Sequence, residues 1–128
     1  MKHEDILWRL AQLSSLPFQE RYVIGGTPDE YVLDTELLEN VDSIKYLVRR
    51  PEQQVDFTDL QIRALEQLFE YVELHSGEAL SGASGVEAAA LIRESSVWHE
   101  MRAKAASALE AFGLSPAMTV EEIDRISA

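Results

Sequence analysis

Apolar residues recur at helical spacing along most of this chain, and the pattern predicts a bundle of about five helices. The first helix starts near the N-terminus and ends before Pro17, because proline cannot continue a helix. The second begins at Asp34 or Thr35 and ends at Arg50, directly before another proline. The third begins at a Thr-Asp-Leu-Gln capping box at 58–61, which leads into a continuous apolar stripe.

The second half of the chain predicts further helices on either side of a glycine-rich segment. We expect the third helix to end near Ser76 and residues 77–85, which are rich in glycine and serine, to form a flexible loop. A fourth helix, capped by Ser84 and ended by Gly113, can divide at Ser95-Ser96. A Thr-Val-Glu-Glu capping box near the C-terminus predicts a short last helix.

Two β-prone runs flank a turn-rich segment between the first and second helices. The runs cover residues 21–24 and 31–33, and glycine, proline and aspartate lie between them. This arrangement predicts a small β-hairpin near residues 21–33. Because two strands alone are marginally stable in water, the hairpin would have to pack against the helices. The predicted fold is therefore mainly α, with a single domain over residues 1–128.

The residue types present exclude several kinds of chemistry. The chain has no cysteine, which excludes disulfides, thiolate metal sites and cysteine nucleophiles. His3, His75 and His99 do not follow a metal-binding spacing, so we predict no metal and no cofactor. The glycine-rich segment lacks the nucleophile-elbow and phosphate-loop motifs. An enzyme is therefore not expected, and catalysis by paired carboxylates remains only as an alternative.

The charge of the chain bears on its partners. There are 23 acidic and 11 basic residues, for a net charge of −12. A surface of this charge repels phosphates and anionic lipid, so we expect neither nucleic acid nor a membrane as partner. The chain begins without the apolar core of a secretory signal, and its apolar runs are far too short to span a bilayer. We therefore expect a soluble, cytoplasmic protein.

The acidic residues are concentrated in two parts of the chain. Residues 29–42 contain no basic residue and carry a charge of −6, whereas residues 51–87 carry −7. On the third helix, the acidic residues share the face opposite the apolar stripe. A charged face of this kind is often only a solvated surface. Our hypothesis is that it binds a basic protein, with these candidate binding residues: Asp29, Glu30, Asp34, Glu36, Glu39, Asp42, Asp59, Glu66, Glu70 and Glu73.

Aromatic residues add possible anchors for such an interface, although core packing is their commoner use. The candidates are Trp8, Tyr22, Tyr31, Tyr46, Tyr71 and Trp98.

A small, cysteine-free helical domain with regional acidity and no catalytic motif resembles the bacterial immunity proteins that neutralise toxins. The resemblance lies in size, charge and helical character. It implies tight one-to-one binding of a basic toxin domain, with acidic side chains occupying or flanking a site that otherwise receives nucleic acid. The alternative is a homodimeric structural or regulatory module, in which the alanine-rich segment 88–111 packs against its symmetry mate.

Overall fold

The computed structural model describes residues 3–80 and 85–126, and most of them are helical. The α-helices are α1 (His3–Ser14), α2 (Leu16–Gln19), α3 (Asp34–Val48), α4 (Asp59–Leu80), α5 (Val86–Glu94), α6 (Ser96–Ala111) and α7 (Val120–Ile126). A π-helical turn at Glu20–Ile24 continues α2, and a 3-10 helix at Pro51–Asp56 follows α3. The prediction of a mainly α fold is confirmed, but the helices within residues 3–80 and 85–126 are more numerous than the sequence predicted.

The predicted β-hairpin at residues 21–33 is wrong, because no strand occurs within residues 3–80 or 85–126. Ser15 caps α2 by accepting a hydrogen bond from the Phe18 amide at 3.1 Å. The helical conformation that starts with α2 continues through residues 21–24, the first β-prone run, as the π-helical turn. The second run lies in a loop, where the Val32 amide donates to the Tyr22 carbonyl at 2.9 Å. The helical conformation that begins at Ser15 has therefore overridden the local β propensity of residues 21–24.

Helix α6 lies at the centre of the bundle and packs against α1 and α4. Its Trp98 side chain is fully buried, and the Trp98 indole Nε1 donates to the Ala79 carbonyl at 2.9 Å. Ala105 and Ala108 are also buried, and their small side chains allow the neighbouring helices to approach closely. The alanine-rich segment thus contributes to the core of its own chain.

The sequence located several helix ends correctly. Thr58 and Gln61 exchange the two hydrogen bonds of a capping box, and Thr119 and Glu122 do the same at the start of α7. Ser95 separates α5 from α6, and its hydroxyl accepts a hydrogen bond from the Trp98 amide. These predictions are confirmed.

The predicted end of the third helix is wrong, since α4 continues past Ser76 to Leu80. The part of the predicted loop at 77–80 is therefore helical, although a glycine inside a helix costs about 1 kcal/mol relative to alanine. The buried Ala79 compensates, because its carbonyl accepts the hydrogen bond from Trp98. The predicted cap at Ser84 lies outside the described residues.

A polar cluster is buried where α1, α2 and α6 meet. The fully buried Gln19 side chain donates from Nε2 to the Gln12 and Leu13 carbonyls, at 3.0 and 2.9 Å, and so satisfies groups at the C-terminal end of α1. Gln19 Oε1 accepts from Arg102 Nη1 at 2.9 Å, and the same nitrogen donates to the Ile92 carbonyl at 2.8 Å. Burial lowers the pKa of Arg102 from its ordinary value. Polar side chains are therefore part of the core at this end of the bundle.

Candidate functional site

The predicted acidic residues lie on three structural elements. Asp29 and Glu30 are exposed in the loop that follows the π-helical turn. The candidates from residue 34 to residue 42 lie on α3, and those from residue 59 to residue 73 lie on α4. The structure separates them into carboxylates that pair with the chain's own cations and carboxylates that do not.

Basic side chains at the C-terminal end of α3 and at its C-cap bind three of the predicted carboxylates. Arg49 pairs with Glu66 at 2.9 Å and with Glu73 at 3.2 Å, and Lys45 reaches Glu73 at 3.1 Å and Asp42 at 3.2 Å. Both cations reach across to carboxylates of α4. Because these carboxylates already have an internal countercharge, Glu66, Glu73 and Asp42 attract a basic partner less strongly than unpaired carboxylates do.

The remaining candidates are more available. Glu36, Glu39, Asp59 and Glu70 are exposed, and none of them forms an ion pair within the described ranges 3–80 and 85–126. Asp34 is half-buried, and its carboxylate accepts a hydrogen bond from the Thr35 amide. The negative charge that is not internally paired therefore includes the loop at 29–30 and Glu36 and Glu39 of α3.

Internal ion pairs and a capping hydrogen bond lower the pKa values of three glutamates below the ordinary value of 4.5. The hydrogen bond from Arg93 lowers the pKa of Glu20, and Arg93 contacts the two carboxylate oxygens at 2.7 and 2.8 Å. The hydrogen bond from Lys45 lowers the pKa of Glu73, and the backbone amide of Thr119 lowers that of Glu122. Each of these carboxylates is thus more easily deprotonated in the folded chain than in the unfolded chain.

Acidification is expected to destabilise the protein through these three glutamates. Their folded-state pKa values lie below the unfolded ones. The stability they contribute is therefore fully present above the unfolded value and is lost as the pH falls through the folded values. Urea denaturation between about pH 6 and about pH 3 measures this loss.

Two double variants separate paired carboxylates from unpaired ones. Glu20→Gln/Glu73→Gln should show a weaker loss of stability on acidification than the unmodified chain. Glu36→Gln/Glu39→Gln changes the net charge by the same amount and should retain the full loss. Identical pH profiles for the two variants would contradict the assignment.

A cleft brings predicted acidic residues together with aromatic rings. We call it the aromatic-acidic cleft; its volume is about 320 Å³. It is lined by Trp8, Phe18, Tyr22, Asp29, Glu30, Tyr31, Val32 and Asp124. The lining joins α1, the π-helical turn, the following loop and α7. Three carboxylates and exposed ring surface converge here on one concave site.

Hydrogen bonds and close packing hold the wall of this cleft in place. The Tyr22 hydroxyl donates to Asp124 Oδ2 at 2.9 Å, and this bond raises the pKa of Tyr22. The Tyr22 carbonyl in turn accepts from the Val32 amide. Gly26 packs so closely that an added Cβ would lie 2.5 Å from the Tyr22 carbonyl oxygen and 2.7 Å from Tyr31 Cβ. The loop is therefore fixed against the turn by contacts that leave no room for a side chain.

Arg21, a cation of the chain itself, already lies against one of the aromatic rings of this region. The guanidinium carbon of Arg21 lies 5.0 Å from the centre of the Tyr22 ring, and Arg21 also pairs with Glu121 at 3.5 Å. A cation within about 6 Å of an aromatic ring centre is attracted by the ring quadrupole. Tyr31 remains 57% exposed. Carboxylates and ring faces in such a cleft are suited to lysine or arginine side chains.

Sequence reasoning missed one acidic residue of the cleft. Asp124 approaches Tyr22 from the far end of the chain, 102 positions away. In the neighbouring sequence, the feature that bears on the position of Asp124 is that it follows the apolar Ile123, which is buried in the structure. Of the predicted aromatic anchors, Trp8, Tyr22 and Tyr31 line the cleft, whereas Trp98 belongs to the core.

In residues 3–80 and 85–126, no helix is long and apolar enough to span a bilayer, and no three acidic or histidine residues are grouped as metal ligands. Comparison with models of protein families, with curated proteins and with solved structures returned no match.

Proposed function

We propose that this chain is a non-catalytic binding protein whose acidic surface engages a basic protein partner. The aromatic-acidic cleft carries the proposal, because it gathers Asp29, Glu30 and Asp124 around aromatic rings. Carboxylates alone attract any cation, whereas carboxylates beside ring faces select a side chain that combines positive charge with an alkyl or planar surface. The partner's lysine or arginine side chains are the groups we expect in the cleft.

The exposed carboxylates of α3 would act over longer distances. Glu36 and Glu39 are not internally paired within the described residues and follow the cleft loop in sequence. Charges of one sign near a binding site raise the association rate of an oppositely charged partner, and salt reduces this effect. The aromatic contacts would mainly set the dissociation rate.

The resemblance to small acidic immunity proteins suggests which basic partner to test. We propose a toxin domain with a cationic nucleic-acid site, which the acidic surface would cover. This step rests on the resemblance in size, charge and helical character, and the cleft supports only the chemistry of the contact.

A hexa-arginine peptide is a suitable first probe of the cleft. Calorimetric titration at low salt should give binding that weakens as salt is added. The variant Asp29→Asn/Glu30→Gln should weaken this binding about tenfold, since it removes two charge partners. In a proton–nitrogen correlation spectrum, the Trp8 indole resonance should shift on binding.

The matched control neutralises two exposed acidic residues elsewhere, in the 3-10 helix. Glu52→Gln/Asp56→Asn changes the net charge equally and should weaken binding by less than about twofold. An equal effect of the two double variants would contradict the proposal, because net charge alone would then explain binding. Absence of peptide binding to the unmodified chain at low salt would contradict it as well.

A further inference from the structure

A second cleft has the opposite electrostatic character from the first. We call it the cationic cleft; its volume is about 510 Å³, and it lies between the α1–α2 junction, α6 and the segment before α7. Arg93, His99 and Arg102 contribute its basic side chains. The walls are largely apolar and include Leu16, Ala106 and Met118. A concentration of basic groups in one cleft is unexpected for a chain with a net charge of −12.

Arg102 is the group that requires explanation. Its side chain lines the cleft, yet the residue is only 8% exposed. The hydrogen bonds of its Nη1 go to the neutral oxygens of Gln19 and Ile92. Among the described residues, no carboxylate lies within ion-pair distance of Arg102. Buried charges in proteins are normally paired, because desolvating an unpaired charge is costly.

The carboxylate that acts electrostatically on Arg102 already has another partner. Glu20 exerts an electrostatic influence on Arg102, but both of its oxygens are bound by Arg93. The positive charge of Arg93 is thereby balanced inside the chain. Arg102 is left as the buried cation of the cleft without a carboxylate partner, and His99 lies beside it on α6 with its side chain exposed.

We propose that the cationic cleft binds a small organic carboxylate, with the carboxylate on Arg102 and an apolar body against Leu16, Ala106 and Met118. A guanidinium matches a carboxylate in charge and in planar, forked geometry. Apolar walls favour a ligand with a hydrocarbon portion over inorganic phosphate, because phosphate can pair with the guanidinium but has no apolar surface to bury against those walls. The flexible Met118 side chain can adapt to the shape of such a body. This site does not depend on the proposed protein partner.

Octanoate is the probe that tests this ligand class. Calorimetric titration should detect octanoate binding, and amide resonances at His99, Ala106 and Met118 should shift. Octanol, which has the same chain without the charge, and inorganic phosphate should each bind at least about tenfold more weakly. Octanol binding as tightly as octanoate would overturn the proposal, as would phosphate doing so.

Two leucine substitutions on α6 locate the binding site. Ala106→Leu fills the cleft and should weaken octanoate binding at least about tenfold, because the apolar body loses its space. Ser107→Leu adds a leucine at the next position, which is exposed and does not line the cationic cleft, and should leave binding unchanged. Equal effects of the two substitutions would overturn the assignment.

The role of Arg102 is tested separately. Arg102→Met retains an unbranched side chain and should abolish the preference for octanoate over octanol. Circular dichroism establishes whether this variant folds; if it does not, the ligand comparison and the Ala106 and Ser107 variants still decide the outcome. A folded Arg102→Met chain that keeps the octanoate preference would overturn the proposal.

Discussion

Replacing Trp98 by alanine is expected to destabilise the protein by about 3–5 kcal/mol, the usual range for removing a fully buried tryptophan. The side chain is 0% exposed and lies on the helix that packs against both α1 and α4. Its Nε1 is also the donor that holds the Ala79 carbonyl near the end of α4. The substitution therefore creates a cavity and releases the last turn of a second helix.

Urea denaturation followed by circular dichroism measures this effect. Trp98→Phe retains most of the apolar volume but loses the donor, and should cost about 1–3 kcal/mol, the range for an unsatisfied buried carbonyl. Leu74→Ala is a suitable control, because Leu74 is 77% exposed on α4 and its loss should change stability by less than about 0.5 kcal/mol. A cost for Trp98→Ala no larger than that control would contradict the central position of Trp98.

Gln19→Leu is expected to cost about 2–4 kcal/mol, although leucine is more hydrophobic and similar in size. The substitution removes the hydrogen bonds to the Gln12 and Leu13 carbonyls. It also removes Gln19 Oε1, which accepts a hydrogen bond from the buried guanidinium of Arg102. Loss of a hydrogen-bond partner costs more free energy for a buried charged group than for a buried neutral group.

A double-mutant cycle with Arg102→Met tests this explanation. If part of the stability loss of Gln19→Leu arises because Arg102 loses a hydrogen-bond partner, the double variant should be destabilised by about 1 kcal/mol less than the sum of the single variants. Strict additivity of the two substitutions would contradict the coupling. Denaturation of all four chains at one pH provides the comparison.

The sequence predicted those features of the fold that are local. The capping residues Thr58, Ser95 and Thr119 mark helix starts because their side chains bond to amides only a few positions away. The end of α4 was missed because a tertiary contact, from Trp98 to Ala79, extends the helix past Gly77. The false hairpin has a different cause, since β propensity at 21–24 yielded to a helical conformation that begins at Ser15.

The candidate site was predicted only in part. The sequence showed that acidic residues concentrate at 29–42 and on the third helix. It could not show that Lys45 and Arg49 reach Glu73, because that depends on how α3 and α4 are aligned in space. The approach of Asp124 to Tyr22 depends in the same way on the packing of the last helix. The sequence shows which residues are charged, whereas which charges pair depends on the tertiary structure.

The π-helical turn at Glu20–Ile24 has a consequence for how this chain tolerates changes in length. Its defining hydrogen bond, from the Gly25 amide to the Glu20 carbonyl, encloses one residue more than an α-helical turn does. Loss of one residue before Tyr22 would restore the ordinary turn and rotate that ring by roughly 100° about the helix axis. The tyrosine would then point away from Asp124. A single deletion can therefore dismantle the aromatic-acidic cleft even when every amino acid that lines it is retained.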